Sequence, residues 1–142
     1  MGGVGAIEQL LETVDPFPMV SGFMFNLPPG KPAGLRTPRS VWESMPGSIS
    51  GAPSRELLDE CLRELHRRMD RKRYRIIASG GIFTAEDAYE KIRSGASLVQ
   101  LMTGLIYEGP GLVARINRGL YRLLERDGFA SITDAVGTAE TC

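Results

Sequence analysis

Two short apolar runs set the limits on this fold: Arg75–Gly81 (RIIASGG) and Ser97–Gly104 (SLVQLMTG). Each has the length of a buried strand, ends in small or hydroxyl-bearing residues, and leads directly into a helical period. Strands that alternate with helices pair in parallel through right-handed crossovers, because a parallel neighbour can be reached only by a long connection. The strand ends therefore fall side by side at one edge of the sheet. Each exposes backbone N–H groups there, and the following helix adds the positive end of its dipole. Two such ends in succession make a cradle suited to a phosphate.

The rest of the chain continues this alternation. Ile7, Leu10, Leu11 and Val14 keep helical spacing until Asp15-Pro16 stops them. Met19–Leu27, rich in Phe and Met, reads as a buried strand that ends at Pro28-Pro29-Gly30-Lys31-Pro32. Residues 28–53 carry Pro, Gly, Ser and Arg, the single Trp42 and no period; a loop this long inside a domain is often functional. A helix then starts with Ser54 as N-cap and has Leu58, Cys61, Leu62, Leu65 and Met69 as its buried stripe. Thr84 and Asp87 have the spacing of a capping box for the next helix, which carries Ala85, Ala88, Tyr89 and Ile92 inward and stops at Gly95. Gly109-Pro110 opens the longest helix, with Leu112, Ile116, Leu120, Leu123 and Leu124 inward. Gly128 ends it, Phe129 packs back, and Ile132–Val136 forms one last short turn.

The resulting order is α-β-loop-α-β-α-β-α, an α/β chain whose three strands all read as buried on both faces. Three parallel strands leave two open edges, which proteins normally cover or close. The expectation is one domain over residues 1–142, forming part of a larger sheet or barrel.

Composition removes several function classes. With 17 basic and 17 acidic residues among 142, the chain has no net formal charge and no overall bias towards nucleic acid. Arg63, Arg67, Arg68, Arg71, Lys72, Arg73 and Arg75 do cluster, but Asp59, Glu60, Glu64 and Asp70 are interleaved and no aromatic residue stands among them. That cluster reads as a solvated helix end, with His66 at its surface. The single histidine leaves no Ser-His-Asp or Cys-His set, and strand ends without paired carboxylates do not suit glycosidase chemistry. Cys61, expected to be buried and structural, and the terminal Cys142 form neither a disulfide framework nor a metal site. The first residues lack the basic start of a secretory signal, and no apolar run reaches the roughly 18 residues of a membrane span.

In a (β/α) barrel, ligands bind at the C-terminal ends of the strands. Ser79, Gly80 and Gly81 lie at one such end, and Leu101, Met102, Thr103 and Gly104 at the next. Glycine lets the backbone approach an anion without a Cβ in the way, and Thr103 adds a hydroxyl. Ser48–Gly51 offers further donors, or is a plain turn before the helix. Asn26, ending the first strand, places a carboxamide within reach of a ligand, or is simply a turn residue.

These residues carry a resemblance. From Ile76 to Gly137 the chain reads IIASGGIFTAEDAYEKIRSGASLVQLMTGLIYEGPGLVARINRGLYRLLERDGFASITDAVG, which resembles the C-terminal part of the dihydroorotate dehydrogenases. The strand-Gly-Gly, the IR-x-GAS-L-VQL element and the closing GF…TDA-x-G are specific in combination, and GFASITDAVG is more similar to the quinone-using class. PAGLRT at Pro32–Thr37 and SISGAP at Ser48–Pro53 extend the likeness upstream. It implies the C-terminal part of a (β/α)8 barrel with FMN as cofactor, oxidising dihydroorotate to orotate in pyrimidine biosynthesis and passing electrons to a quinone. It also implies a peripheral place on the cytoplasmic side of a membrane for the complete enzyme.

Residue by residue, the resemblance implies that Gly80 and Gly81 hold the FMN phosphate and that Leu101, Met102 and Thr103 form the second phosphate-binding segment. Ser50 and Gly51 match an FMN-contacting Ser-Gly pair, and Asn26 matches a substrate-binding asparagine. Met102 stands where the family often has an aromatic residue, and FNLPPG is one residue shorter than the family's usual Asn-Thr-Thr segment. The family's early strands, flavin-contacting lysine and serine base have no counterpart here, so no catalytic residue is assigned. The resemblance implies an enzyme fragment that turns over little or not at all alone. The alternatives are a non-catalytic, self-associating half-barrel that holds FMN or a similar phosphate, and a purely structural remnant.

Overall fold

The computed structural model describes residues 4–25, 31, 32 and 34–141. Three strands, β1 (Gly22–Phe25), β2 (Arg75–Ser79) and β3 (Leu98–Gln100), form one parallel sheet in the order β1-β2-β3. Helices α1 (Val4–Val14), α2 (Arg39–Ser44), α3 (Arg55–Arg68), α4 (Ala85–Arg93), α5 (Thr103–Glu108), α6 (Leu112–Asp127) and α7 (Ile132–Ala135) surround and connect them. Both strand connections run through a helix, as parallel pairing requires.

The core lies between the sheet and the helices. Ile7 of α1, Leu62 and Leu65 of α3, and Ile76 and Ala78 of β2 form one buried cluster with Met69, Tyr74 and Ala96. A second joins Ala85, Tyr89 and Ile92 of α4 to Leu123 of α6 and Ala135 of α7. Thr84 and Asp87 form the expected reciprocal capping box on α4, and Gly128 closes α6 in the left-handed region at φ +76.

Several expectations need correction. The strands are not buried on both faces. Successive side chains alternate, so the register Met24↔Ile77↔Leu98 sets these three in one row on the side away from Ile76 and Ala78. In that row Met24 is 51% and Leu98 62% exposed. A barrel interior is filled by side chains contributed from all its strands, and three strands cannot enclose one. The first strand begins later than read, at Gly22, with Asn26 and Leu27 outside the described residues; the third is shorter than read, and α5 forms where the chain was expected to run straight on to the long helix. A short helix, α2, interrupts residues 28–53. Ser54 does not cap α3 with its side chain; its hydroxyl donates instead to the Gly51 carbonyl at 2.8 Å.

The charged helix α3 differs most from its expected solvated character. Glu64 does pair with Arg67 and Arg68 along the exposed side. Asp59, however, accepts a hydrogen bond from Lys91 of α4 at 2.5 Å in a buried ion pair. His66 is only 4% exposed, covered by the backbone at Gly95 and Gly137, where a Cβ would run into its ring. Cys61 is half-buried rather than buried, and its thiol is pushed up by burial and by the neighbouring Glu60 carboxylate. Among the described residues no helix is long and apolar enough to cross a membrane.

Candidate functional site

At the C-terminal edge of the sheet, β2 runs into Gly80 and Gly81, both at positive φ (+86 and +72). A Cβ on Gly80 would collide with the Leu58 side chain, and one on Gly81 would lie 2.7 Å from the Arg55 Cβ. The absent side chains thus face α3, and glycine is required there by both conformation and the approach of that helix. This changes the physical reason for the pair: the missing Cβ atoms make room for α3, and the side towards the cleft is backbone in any case.

β3 ends next to this turn. Leu101 and Met102 lead into Thr103, the first residue of α5. Gly104 follows, where a Cβ would run into the Ile82 carbonyl, so the start of α5 lies directly against the chain leaving Gly81. The third wall comes from before α3. Thr103 Oγ1 donates to Ser50 Oγ at 3.2 Å, and a Cβ on Gly51 would sit 3.0 Å from Thr103 Cγ2.

These three segments border one cleft of about 320 Å³. Ser50, Gly51, Gly80, Gly81, Leu101, Met102 and Thr103, all singled out from sequence, line it together, and Ser48, Ser79 and Gly104 join them. Asn26 lies outside the described residues. Ser54, Ile82 and Gln100 complete the lining and were not singled out as site residues, although Gln100 ends β3, a position that could have marked it. Among the described residues the lining carries hydroxyls, one carboxamide, apolar side chains and backbone, but no charged side chain. Such a wall selects by hydrogen bonding from N–H and O–H groups rather than by net charge, as helix-terminal phosphate sites do.

One ionic clamp stands behind the cleft. Arg55 donates from Nε to the Gly81 carbonyl at 2.9 Å and pairs through its terminal nitrogen with Asp87 Oδ1 at 2.8 Å. Asp87 Oδ2 in turn accepts from the Phe83 and Thr84 backbone N–H groups at 2.9 and 3.0 Å. The sequence shows Asp87 as a capping residue, but its bond to a residue 32 positions earlier leaves no local trace.

The profile of the family described as dihydroorotate dehydrogenase matches residues 29–124. A protein of Natronomonas pharaonis named dihydroorotate dehydrogenase (quinone) is 46% identical over 132 residues, 93% of this chain and 36% of the relative. One of the same name from Halobacterium salinarum is 57% identical over 91 residues, 64% of this chain and 25% of that protein. The crystal structure of DHODH from Eimeria tenella in complex with ferulenol superposes with a TM-score of 0.83 at 29% identity, covering 96% of this chain and 35% of that one. The chain therefore spans from a quarter to little more than a third of the length of these relatives.

Proposed function

The chain belongs to the dihydroorotate dehydrogenase family, its three parallel strands and flanking helices forming part of a (β/α)8 barrel, and on that premise we propose that it supplies the phosphate-binding end of a flavin site. The flavin is FMN, and the complete enzyme oxidises dihydroorotate to orotate in pyrimidine biosynthesis with a quinone as electron acceptor. Because quinones are lipid-soluble, that enzyme works at a membrane surface, in peripheral association.

One observation supports this reading above the others: Ser50-Gly51, Gly80-Gly81 and Leu101–Thr103, far apart in the chain, border a single cleft. The donor set fits a phosphate monoester. Hydroxyls of Ser50 and Thr103 and the backbone of the glycine turn would hold its oxygens, and the start of α3 adds the favourable end of a 14-residue helix. Leu101 and Met102 would contribute backbone beside it, with the exposed Met102 side chain packing along the rest of the molecule. A bound flavin would supply the ring that takes up hydride. This chain's own residues fix the cofactor's tail, and so the ring's distance from substrate; no proton-transfer role falls to any described residue of the cleft. Asn26 is proposed as a substrate contact. Dihydroorotate, orotate and quinone are partners of the complete enzyme, and the open row of Met24 and Leu98 is where the rest of the barrel, or a second copy, would pack.

Titration of the 142-residue chain with FMN and with riboflavin, followed by flavin fluorescence, tests this. FMN is expected to bind at least about tenfold more tightly, since only FMN carries the group that can take charge-assisted hydrogen bonds. Equal affinity for the two, or none for either, contradicts the reading. Orotate formation by the chain alone is expected to be undetectable, because placing substrate and flavin together requires more residues than the cleft contains.

A further inference from the structure

We infer that Arg55 is a positioning residue for anion binding: without lining the cleft, its guanidinium sets the Gly80-Gly81 turn in the orientation that presents N–H groups to a phosphate. The inference rests on the reading of the cleft given above and extends it to a residue outside the lining.

The geometry is specific. Arg55 opens α3 and reaches the Gly81 carbonyl, which it bonds from Nε at 2.9 Å. No described peptide bond is cis. In a trans peptide the carbonyl and the following N–H point in opposite directions. With the Gly81 carbonyl held towards Arg55, the N–H of Ile82 is directed to the other side, where Ile82 borders the cleft. Gly81, at positive φ and without a Cβ, restrains its own ψ little, so its carbonyl can swing within the range that β-branched Ile82 allows until the Arg55 bond fixes it. Such a swing would turn the Ile82 N–H away from the anion.

The same guanidinium is held in turn. Asp87 Oδ1 lies 2.8 Å from its terminal nitrogen, and Asp87 is fixed by accepting from Phe83 and Thr84. The clamp thus joins the first turn of α3, the glycine turn and the first turn of α4. Asp87 also neutralises the guanidinium, which leaves Arg55 little net attraction to offer a phosphate directly. Its contribution is the direction of the peptide. Lysine cannot reproduce this, because a single ammonium lacks the planar fork that serves two acceptors at once.

The test uses the full chain, FMN and riboflavin as probes, and three variants: Arg55→Lys, Arg55→Gln and Asp87→Asn. Arg55→Lys is expected to weaken FMN by about tenfold while leaving riboflavin affinity and the thermal midpoint near those of the parent chain. Arg55→Gln should behave alike. Asp87→Asn, whose one carbonyl oxygen can still accept from Phe83 and Thr84, should shift FMN in the same direction by less. Full FMN affinity in Arg55→Lys with loss only in Arg55→Gln would make charge, not positioning, the cause and overturn the inference. Parallel loss of FMN and riboflavin together with a fallen midpoint would reduce Arg55 to a structural residue and overturn it equally. A parent chain that prefers FMN, paired with variants that keep that preference, sinks this inference alone; a parent chain without the preference sinks the cleft reading as well.

Discussion

Ile76 and Ala78 point from β2 into the helices and are 0% and 4% exposed; Ile77, between them, belongs to a row in which Met24 and Leu98 stand open. The central rows of both faces are apolar in sequence but differ in what covers them. On the helix side, clusters from α1, α3, α4, α6 and α7 enclose the side chains. On the other side an aligned row of large apolar residues meets solvent, a pattern that marks an interface when it is contiguous. The difference teaches that stability and function reside in different layers. The outer layer holds the unit together; the inner face and strand ends stay open, which is where the proposed reading puts the ligand and the rest of the barrel.

The largest effect that can break this comparison is at Lys91. Its ammonium is 1% exposed and bound to Asp59. Lys91→Ala leaves that carboxylate buried without its partner and is expected to cost about 3–5 kcal/mol in urea unfolding. Replacing both partners with apolar residues of similar volume should recover most of the loss. Next is the direct contrast between faces. Ile76→Ala should destabilise by about 2–4 kcal/mol, whereas Leu98→Ala should stay within about 1 kcal/mol, both read by urea unfolding. Equal losses would mean that the inner face is covered by something in the isolated chain, and self-association measured by sedimentation would then identify a second copy.

Gly104→Ala gives a smaller effect. The new methyl meets a backbone carbonyl, that of Ile82, which cannot rotate aside. About 1–3 kcal/mol of strain is expected, with weaker FMN binding because the segments on either side of the cleft are forced apart.

The smallest effect is a pH dependence in the outer layer, far from the cleft. Asp127 accepts from Arg126 and from the Tyr89 hydroxyl, and these bonds draw its carboxyl from the ordinary 3.8 down to about 2. A depressed carboxyl favours the folded state when ionised. Its contribution is therefore complete above about pH 4 and is lost as the pH falls towards 2. Asp127→Asn should flatten the acid limb of the thermal midpoint in that window. Tyr89 works in the opposite sense: burial and the Asp127 carboxylate raise its phenol, so its contribution is complete below pH 10 and fades as the pH rises beyond it.

How much of this was legible in the sequence follows from the range of each interaction. The caps of α4 and α6 were legible, because Thr84 with Asp87 and Gly128 with Phe129 act within a few residues of each other, whereas the expected Ser54 cap of α3 does not form. The cleft was legible in outline, because parallel topology brings successive strand ends together once the strands are known. The Asp59–Lys91 pair and the Arg55 clamp were not, since each joins residues on different helices and looks, along the chain, like ordinary surface charge. His66 was misplaced for a related reason: it is covered by two distant glycine segments rather than by its own helical stripe. The openness of Met24 and Leu98 was misread because an apolar side chain shows only that it prefers cover, not whether this chain supplies it.

The central claim is that three distant segments converge to hold one phosphate. Backbone amide shifts of the isotope-labelled chain, followed by two-dimensional NMR during addition of FMN, test it most directly. The account predicts that Gly51, Gly80, Gly81, Ile82, Thr103 and Gly104 move together and saturate at one FMN concentration, with riboflavin leaving them nearly still. Shifts confined to one of the three segments, or gathered at the opposite end of the sheet around Arg75 and Ser97, would contradict it.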